Sequence, residues 1–241
     1  MRILALDSSG LVATVAILED DQTIAEYTVN YKKTHSQTLL PMLDEIVKMT
    51  EQDLQTVDAI ALAAGPGSFT GLRIGSATVK GLAQALNKPV ISVPTVDGLA
   101  GNLYGTDKLV CPIMDARRNQ TYTGLYEFVK NEEEYEMRCV RQQCAVDIAD
   151  IISEINELGR EVIFLGDGVP VFKDIITTES TVPVVFAPAH LNRQRAGALG
   201  VLGAKLYAQG IVETAAEHKP DYLRKSQAER ELAEKNGEVD N

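Results

Sequence analysis

The densest run of residues that could do chemistry is Ala64-Gly65-Pro66-Gly67-Ser68-Phe69-Thr70-Gly71-Leu72-Arg73-Ile74-Gly75. It separates an apolar run from a helical pattern, so its N–H groups could meet an anion at a helix N-terminus. Its spacing is neither the phosphate loop Gly-x-x-x-x-Gly-Lys-Ser/Thr nor a dinucleotide fingerprint. A tight turn capped by Ser68 or Thr70 explains the same residues at least as well. A second candidate is the turn Asp7-Ser8-Ser9-Gly10, whose small residues let backbone amides approach a phosphate. Its counterpart in the second half, Asp115-Ala116-Arg117-Arg118, lacks glycine and carries two long cationic side chains. The anion- or nucleotide-binding candidates are therefore Asp7, Ser8, Ser9, Gly10, Gly65, Gly67, Ser68 and Arg73. No catalytic residue emerges. His35, His190 and His218 are scattered, and no His-Glu-x-x-His, Cys-x-x-Cys or serine nucleophile elbow occurs. Cys111, Cys139 and Cys144 form no metal-ligand pattern, so no metal site is expected.

Composition narrows the classes further. The 241 residues include 34 Asp+Glu against 23 Lys+Arg, a formal charge of −11. A chain of this length can bury roughly 70–75% of its unfolded surface and needs no disulfide or metal staple. Its acidity disfavours a protein that grips nucleic acid by itself, because counterion release needs clustered Lys and Arg. Three cysteines suit a reducing compartment. Met1-Arg2 leads straight into a short strand rather than a signal peptide, and no apolar run is long enough to span a bilayer. The expectation is a cytoplasmic, acidic protein with no membrane contact.

The elements that must position these residues come in a repeated order. Strands are expected at 3–6, 12–18 and 23–29, a helix from Ser36 or Thr38, a strand at 58–63, a helix at 70–86 and a strand at 89–93. The second half repeats it: strands at 109–114, 120–128 and 135–144, a helix from Asp147 to Leu158, and a strand at 161–165. A short helix after Gly166-Asp167-Gly168, a strand at 182–186 and a helix from Asn192 to about Gln209 complete it. Two lobes of this kind form the duplicated α/β architecture of actin, Hsp70 and the sugar kinases (ASKHA, ribonuclease H-like), with mixed sheets flanked by helices. The expected lobes are 1–104 and 105–225, with the helix at 191–209 packing back on the first lobe and a charged tail at 226–241. A single mixed α/β domain is the other reading.

The helix after the glycine loop carries Gly71 and Gly75 four apart, and a second small row at Ala77, Gly81 and Ala85. An interior helix glycine costs about 1 kcal/mol relative to alanine, so three of them need an offsetting gain. Close approach of another helix would supply it, and the first helix, with its wide aliphatic face, is the natural neighbour. One face of the pair would pack on the sheet and the other on a partner. The partner-binding candidates are Leu39, Leu40, Met42, Leu43, Ile46, Val47, Gly71, Leu72, Gly75 and Val79, with Leu40 and Met42 on the outward side. Wholly internal packing is the other reading.

Four motifs in one order, Leu4-Ala5-Leu6-Asp7-Ser8-Ser9, the glycine loop through Arg73, Ile113-Met114-Asp115-Ala116-Arg117 and Pro220-Asp221-Tyr222-Leu223-Arg224, closely resemble the bacterial TsaB (YeaZ) family. The resemblance runs to about Arg224. It implies a non-catalytic subunit of the machinery that makes N6-threonylcarbamoyladenosine at position 37 of tRNAs reading ANN codons. It further implies pairing with the paralogue TsaD, which holds a metal and transfers the threonylcarbamoyl group, and with the ATPase TsaE. Where TsaD has its metal-binding His pair, this chain has Thr95 and Leu99, which removes a metal site here. ATP or ADP is then expected within the complex rather than as a cofactor of this chain. tRNA contact is expected only indirectly, through the partners, and the isolated chain is expected to form a homodimer. The competing readings are a small actin-like phosphotransferase using Asp7 and the turn at Asp115, and a stand-alone homodimeric nucleotide-binding module.

Overall fold

In a computed structural model of the chain, which describes residues 1–31, 33–132 and 134–224, the expected tail at 226–241 lies outside the described residues. The first half contains β1 (Arg2–Asp7), β2 (Ala13–Glu19), β3 (Gln22–Val29), α1 (Leu39–Thr50), β4 (Ala59–Gly65), α2 (Phe69–Leu86) and β5 (Val90–Pro94). The sheet order is β3-β2-β1-β4-β5, with β1, β4 and β5 parallel and β2 and β3 antiparallel to their neighbours. A short helix, α3 (Thr95–Ala100), then leads into β6 (Leu109–Asp115), β7 (Gln120–Asn131), β8 (Glu134–Asp147), α4 (Ile148–Leu158), β9 (Val162–Leu165), α5 (Val169–Glu179) and β10 (Val184–Phe186). Their sheet runs β10-β9-β6-β7-β8, which read from the β8 end is the same third-second-first-fourth-fifth order. This is the duplicated, two-lobe, actin-like α/β arrangement with mixed sheets flanked by helices.

The pleat decides what each face packs on. In the first sheet Leu4, Leu6, Val15, Ile17, Ile60 and Leu62 point to α1 and α2 and form one core with Leu39, Met42, Leu43, Ile46, Val79 and Ala83. The opposite face is built from small residues, Ala5, Ala16, Ala59, Ala61 and Ala63, with Ile3, Ile91 and Val93. The last helix, α6 (Ala196–Ala208), lies on that face against β1, β2, β4 and β5. Small meets small: a Cβ on Gly203 would stand 2.7 Å from the Ala61 Cβ, and one on Gly200 2.2 Å from a Leu18 methyl. In the second sheet α4 and α5 cover one face, and Val96, Leu99 and Ala100 of α3 join the core on the other.

Two elements depart from the sequence-based expectation. α3 was not anticipated. The last helix starts at Ala196 rather than at Asn192, and Asn192 does not cap it. Asn102 Nδ2 donates to the carbonyls of Leu191 and Arg193 (3.0 and 2.7 Å), which holds that stretch out of the helix. Asp147 does cap α4, accepting the Ala149 N–H at 3.0 Å.

Candidate functional site

β1 delivers Asp7 to a buried turn, and there one carboxylate oxygen accepts both the Ser9 N–H (2.7 Å) and the Ser9 hydroxyl (2.6 Å). The glycine loop between β4 and α2 packs directly on this turn. The Ser68 N–H donates to the Ser9 carbonyl (2.7 Å), and the Ser8 hydroxyl to the Gly71 carbonyl (2.9 Å). A Cβ on Gly71 would lie 2.0 Å from the Ser8 carbonyl oxygen, and one on Gly67 2.3 Å from that of Ser9. The glycines thus bring one backbone against another. Ser68 caps α2 by accepting the Gly71 N–H at 3.3 Å.

The other side of the loop is closed by a segment far away in sequence. The Asp221 N–H donates to the Ala64 carbonyl (2.7 Å), and Gly65, at φ 132°, leaves room for the Asp221 carbonyl, which a Cβ would meet at 2.1 Å. Tyr222 stacks on Phe69 with centroids 4.7 Å apart and planes 10° off parallel, and the Arg73 guanidinium lies over the same Tyr222 ring. Gln143 donates to Asp221 (3.1 Å), Arg224 to the Ala116 carbonyl (2.6 Å), and Leu223 packs in the second lobe's core. The segment therefore stitches the lobes together across the mouth of the loop. His218, fully buried with its Nδ1 bonded to Glu213 and Ser92, anchors the approach to it.

Asp7, Ser8, Ser9, Gly10, Gly65, Gly67 and Ser68 do come together, but as packed neighbours rather than anion ligands. The Ser9 and Asp221 carbonyls, both acceptors, stand against the glycines where an anion would need donors. Gly10 faces the Gln194 amide, and Arg73 is engaged with Tyr222 through its Nε (3.3 Å). The partner-face candidates need the same correction. Leu39, Met42, Leu43, Ile46, Gly71, Leu72, Gly75 and Val79 are buried inside the chain, so they seat α1 and α2 on the sheet instead of facing outward. Val47 is half-buried against the same core, whereas Leu40 is 50% exposed. The exposed residues of the pair are Leu40, Pro41, Asp44, Glu45, Lys48 and Met49 on α1 and Thr70, Arg73, Ala77, Gly81, Gln84 and Ala85 on α2, so apolar and small side chains are interspersed with charged ones. Gly71 and Gly75 are matched by the Ser8 turn, while nothing among the described residues lies within 4 Å of a Cβ placed on Gly81.

Asp7 is the electrostatic outlier. Burial pushes its carboxyl from 3.8 up to about 6, against the opposing pull of the two Ser9 hydrogen bonds and His35. A folded chain that keeps this proton to higher pH than the unfolded chain is most favoured below pH 4, and loses that stability as pH rises through 6. Asp7→Asn keeps an oxygen for both Ser9 donors and removes the buried charge. It is expected to stabilise the fold at pH 7.5 by about 1–3 kcal/mol, with the gain gone near pH 4. Melting temperatures at the two pH values check this; equal shifts at both would refute it.

The second lobe's turn is built differently. Gly168 donates its N–H to the Ile113 carbonyl (3.0 Å), and Asp167, whose carboxyl burial pushes up, accepts the Asp115 N–H at 3.3 Å. Beyond it Arg117, Arg118 and Asn119 are all left-handed, with φ of 68°, 55° and 60°. L-residues in that region cost about 1–2 kcal/mol each and rarely occur in runs. At the places matching a metal pair in the resembled paralogue, Thr95 accepts the Gly65 N–H (3.2 Å) and Leu99 is buried core. Among the described residues no group of three or more His, Cys, Asp or Glu stands close enough to hold a metal ion, and no helix is long and apolar enough to cross a membrane. The sequence reading missed Gln194 and took Thr95 only as the place of a lost metal ligand; Phe69, Tyr222 and Arg224 were visible only as parts of the glycine-loop and Pro220–Arg224 motifs.

Comparison with known proteins agrees with the motifs. A family model described as TsaD, tRNA N6-adenosine threonylcarbamoyltransferase, matches residues 22–232. The chain is 35% identical to the tRNA threonylcarbamoyladenosine biosynthesis protein TsaB of Bacillus subtilis, over 97% of this chain and 99% of that protein. It is 28% identical to the TsaB of Escherichia coli, over 96% and 98% respectively. Among solved structures, YeaZ from Pseudomonas aeruginosa matches with a TM-score of 0.75 at 28% identity, covering 92% of this chain and 100% of that one.

Proposed function

The chain belongs to the TsaB (YeaZ) family of tRNA threonylcarbamoyladenosine biosynthesis proteins, and on that premise we propose that it is a non-catalytic, activating subunit. Its proposed partners are TsaD, which transfers the threonylcarbamoyl group to N6 of adenosine 37 in tRNAs reading ANN codons, and the ATPase TsaE. The proposed setting is the cytoplasm.

One observation carries this reading. A glycine inside a helix costs about 1 kcal/mol, and of α2's three glycines only Gly81 has nothing among the described residues within 4 Å of an added Cβ to offset that cost. With Ala77 and Ala85 it forms an exposed row of small residues on α2, and the neighbouring helix α1 exposes Leu40 (50%). Such a row lets a second helix approach closely, and dispersion contact along it supplies the missing gain. The same surface would close a homodimer when TsaD is absent, since a patch that fits a paralogue also fits its own kind. Nucleotide in the assembly is proposed to sit outside this chain's glycine loop, because the Ser9 and Asp221 carbonyls face its glycines.

Reconstitution tests the proposal. TsaD and TsaE from the same source, given threonylcarbamoyl-adenylate and unmodified tRNA, are expected to form the modified nucleoside efficiently only when this chain is added. The chain alone is expected to form none, as read by mass spectrometry of digested tRNA. Product from the chain alone would overturn the non-catalytic role; full activity without the chain would overturn the activating one.

A further inference from the structure

The left-handed run Arg117-Arg118-Asn119 is exposed throughout, and asparagine is the only one of the three that tolerates the conformation by its own chemistry. Such backbones persist only where their surroundings over-determine them, and they concentrate at functional sites. The bracing is plain. Arg224 donates to the Ala116 carbonyl, the Arg117 N–H to the Asp115 carboxylate (2.8 Å), the Gln120 N–H to the Arg117 carbonyl (3.1 Å), and the Ile148 N–H to the Asn119 carbonyl (3.1 Å).

What this bracing presents is a pair of guanidinium groups. The Arg117 side chain is 85% exposed, with one ionic contact at 3.3 Å to Asp115. Arg118 makes no ion pair with the described residues. A third guanidinium, Arg73, is held on Tyr222, two residues before Arg224, whose own guanidinium bonds the carbonyl of Ala116, the residue before Arg117.

We propose that this seam is a direct contact surface for the phosphate backbone of RNA, with Arg117 and Arg118 as its principal contacts and Arg73 linked to them through the Tyr222–Arg224 segment. It rests on the tRNA-directed role proposed above, and it adds a direct contact where the sequence-based expectation was contact through partners alone. The planar guanidinium fork fits phosphate oxygens in pairs, and a backbone contact positions RNA without reading its sequence. The chain's net charge of −11 repels a polyanion, so attraction has to come from a local, fixed cluster.

The test uses the full chain, alone and bound to TsaD, with an unmodified tRNA transcript as probe and fluorescence anisotropy at several salt concentrations. The double variant R117E/R118E is expected to weaken tRNA binding about tenfold or more and to lower the log–log salt slope by about 2. R117K/R118K should keep most of the affinity, and co-purification of both variants with TsaD should match the wild type. Wild-type affinity and slope in R117E/R118E, or no tRNA binding by the wild-type chain in either setting, would overturn the proposal. So would equal competition by polyglutamate, which would assign the seam to an acidic protein. Failure of the wild-type chain to pair with TsaD would sink the preceding section's reading, while tRNA binding by the chain alone would still decide this one.

Discussion

Gly71→Ala is expected to destabilise the chain by about 3 kcal/mol or more, although alanine is the better helix former by about 1 kcal/mol. The added methyl would sit 2.0 Å from the Ser8 carbonyl oxygen, a backbone atom with no rotamer to escape through. The Ser8 hydroxyl is bonded to the Gly71 carbonyl and the Ser68 N–H to the Ser9 carbonyl, so the start of α2 and the end of β1 can separate only by breaking both. For a chain of this size the melting temperature should fall by roughly 6–12 °C. Gly81→Ala is the matched control: same helix, same chemistry, open space around the new methyl, and an expected gain of about 1 kcal/mol. Urea denaturation of the two variants reads the contrast directly. Equal stability of Gly71→Ala and the wild type would mean that the loop does not need this approach.

Ala77→Glu combined with Gly81→Glu is expected to abolish both co-purification with TsaD and self-association, and to cut nucleoside formation at least a hundredfold. Both positions are exposed on α2, where glutamate is a good helix former, so circular dichroism and melting should stay at wild type or rise slightly. Across a close helix contact the same two carboxylates would be buried without partners, which few interfaces survive. Leu40→Asp on α1 should act the same way. Met42→Asp should instead unfold the protein, because Met42 lies in the core under α1. Retained pairing in the folded double variant would remove the outward side of α1 and α2 from the interface.

The order of elements was legible because most strands are apolar runs bounded by turn residues, and the second half repeats the sequence of elements. α3 was not, since Val93-Pro94-Thr95-Val96 reads as the end of a strand and six residues give no helical period. On α1 the inward stripe Leu39, Met42, Leu43 and Ile46 has the i, i+3, i+4, i+7 spacing of a buried face, yet the sequence reading assigned it to a partner, because the wide aliphatic surface did not show which side the sheet would take. The glycines of α2 signalled close approach correctly but could not say to what: Gly71 and Gly75 meet a turn from β1, not a helix. Ala59, Ala61 and Ala63 with Gly200 and Gly203 carried the same kind of signal for the packing of α6, legible only once the two are imagined together. The cover of the glycine loop is further still from local reading. Gly65 and Asp221 are brought together by tertiary structure alone, and no spacing rule reaches across that separation.

The roofing of the first sheet by α6 has a consequence for how the protein is made. When the ribosome has released the first hundred residues, the sheet of β1–β5 has one finished side and one bare apolar side, and its cover is encoded far downstream. Vectorial synthesis therefore cannot complete the amino-terminal half first, as it does in many multidomain chains. A nascent chain stalled before Ala196 is expected to need a chaperone, and full-length release is the event that makes the first half safe from aggregation.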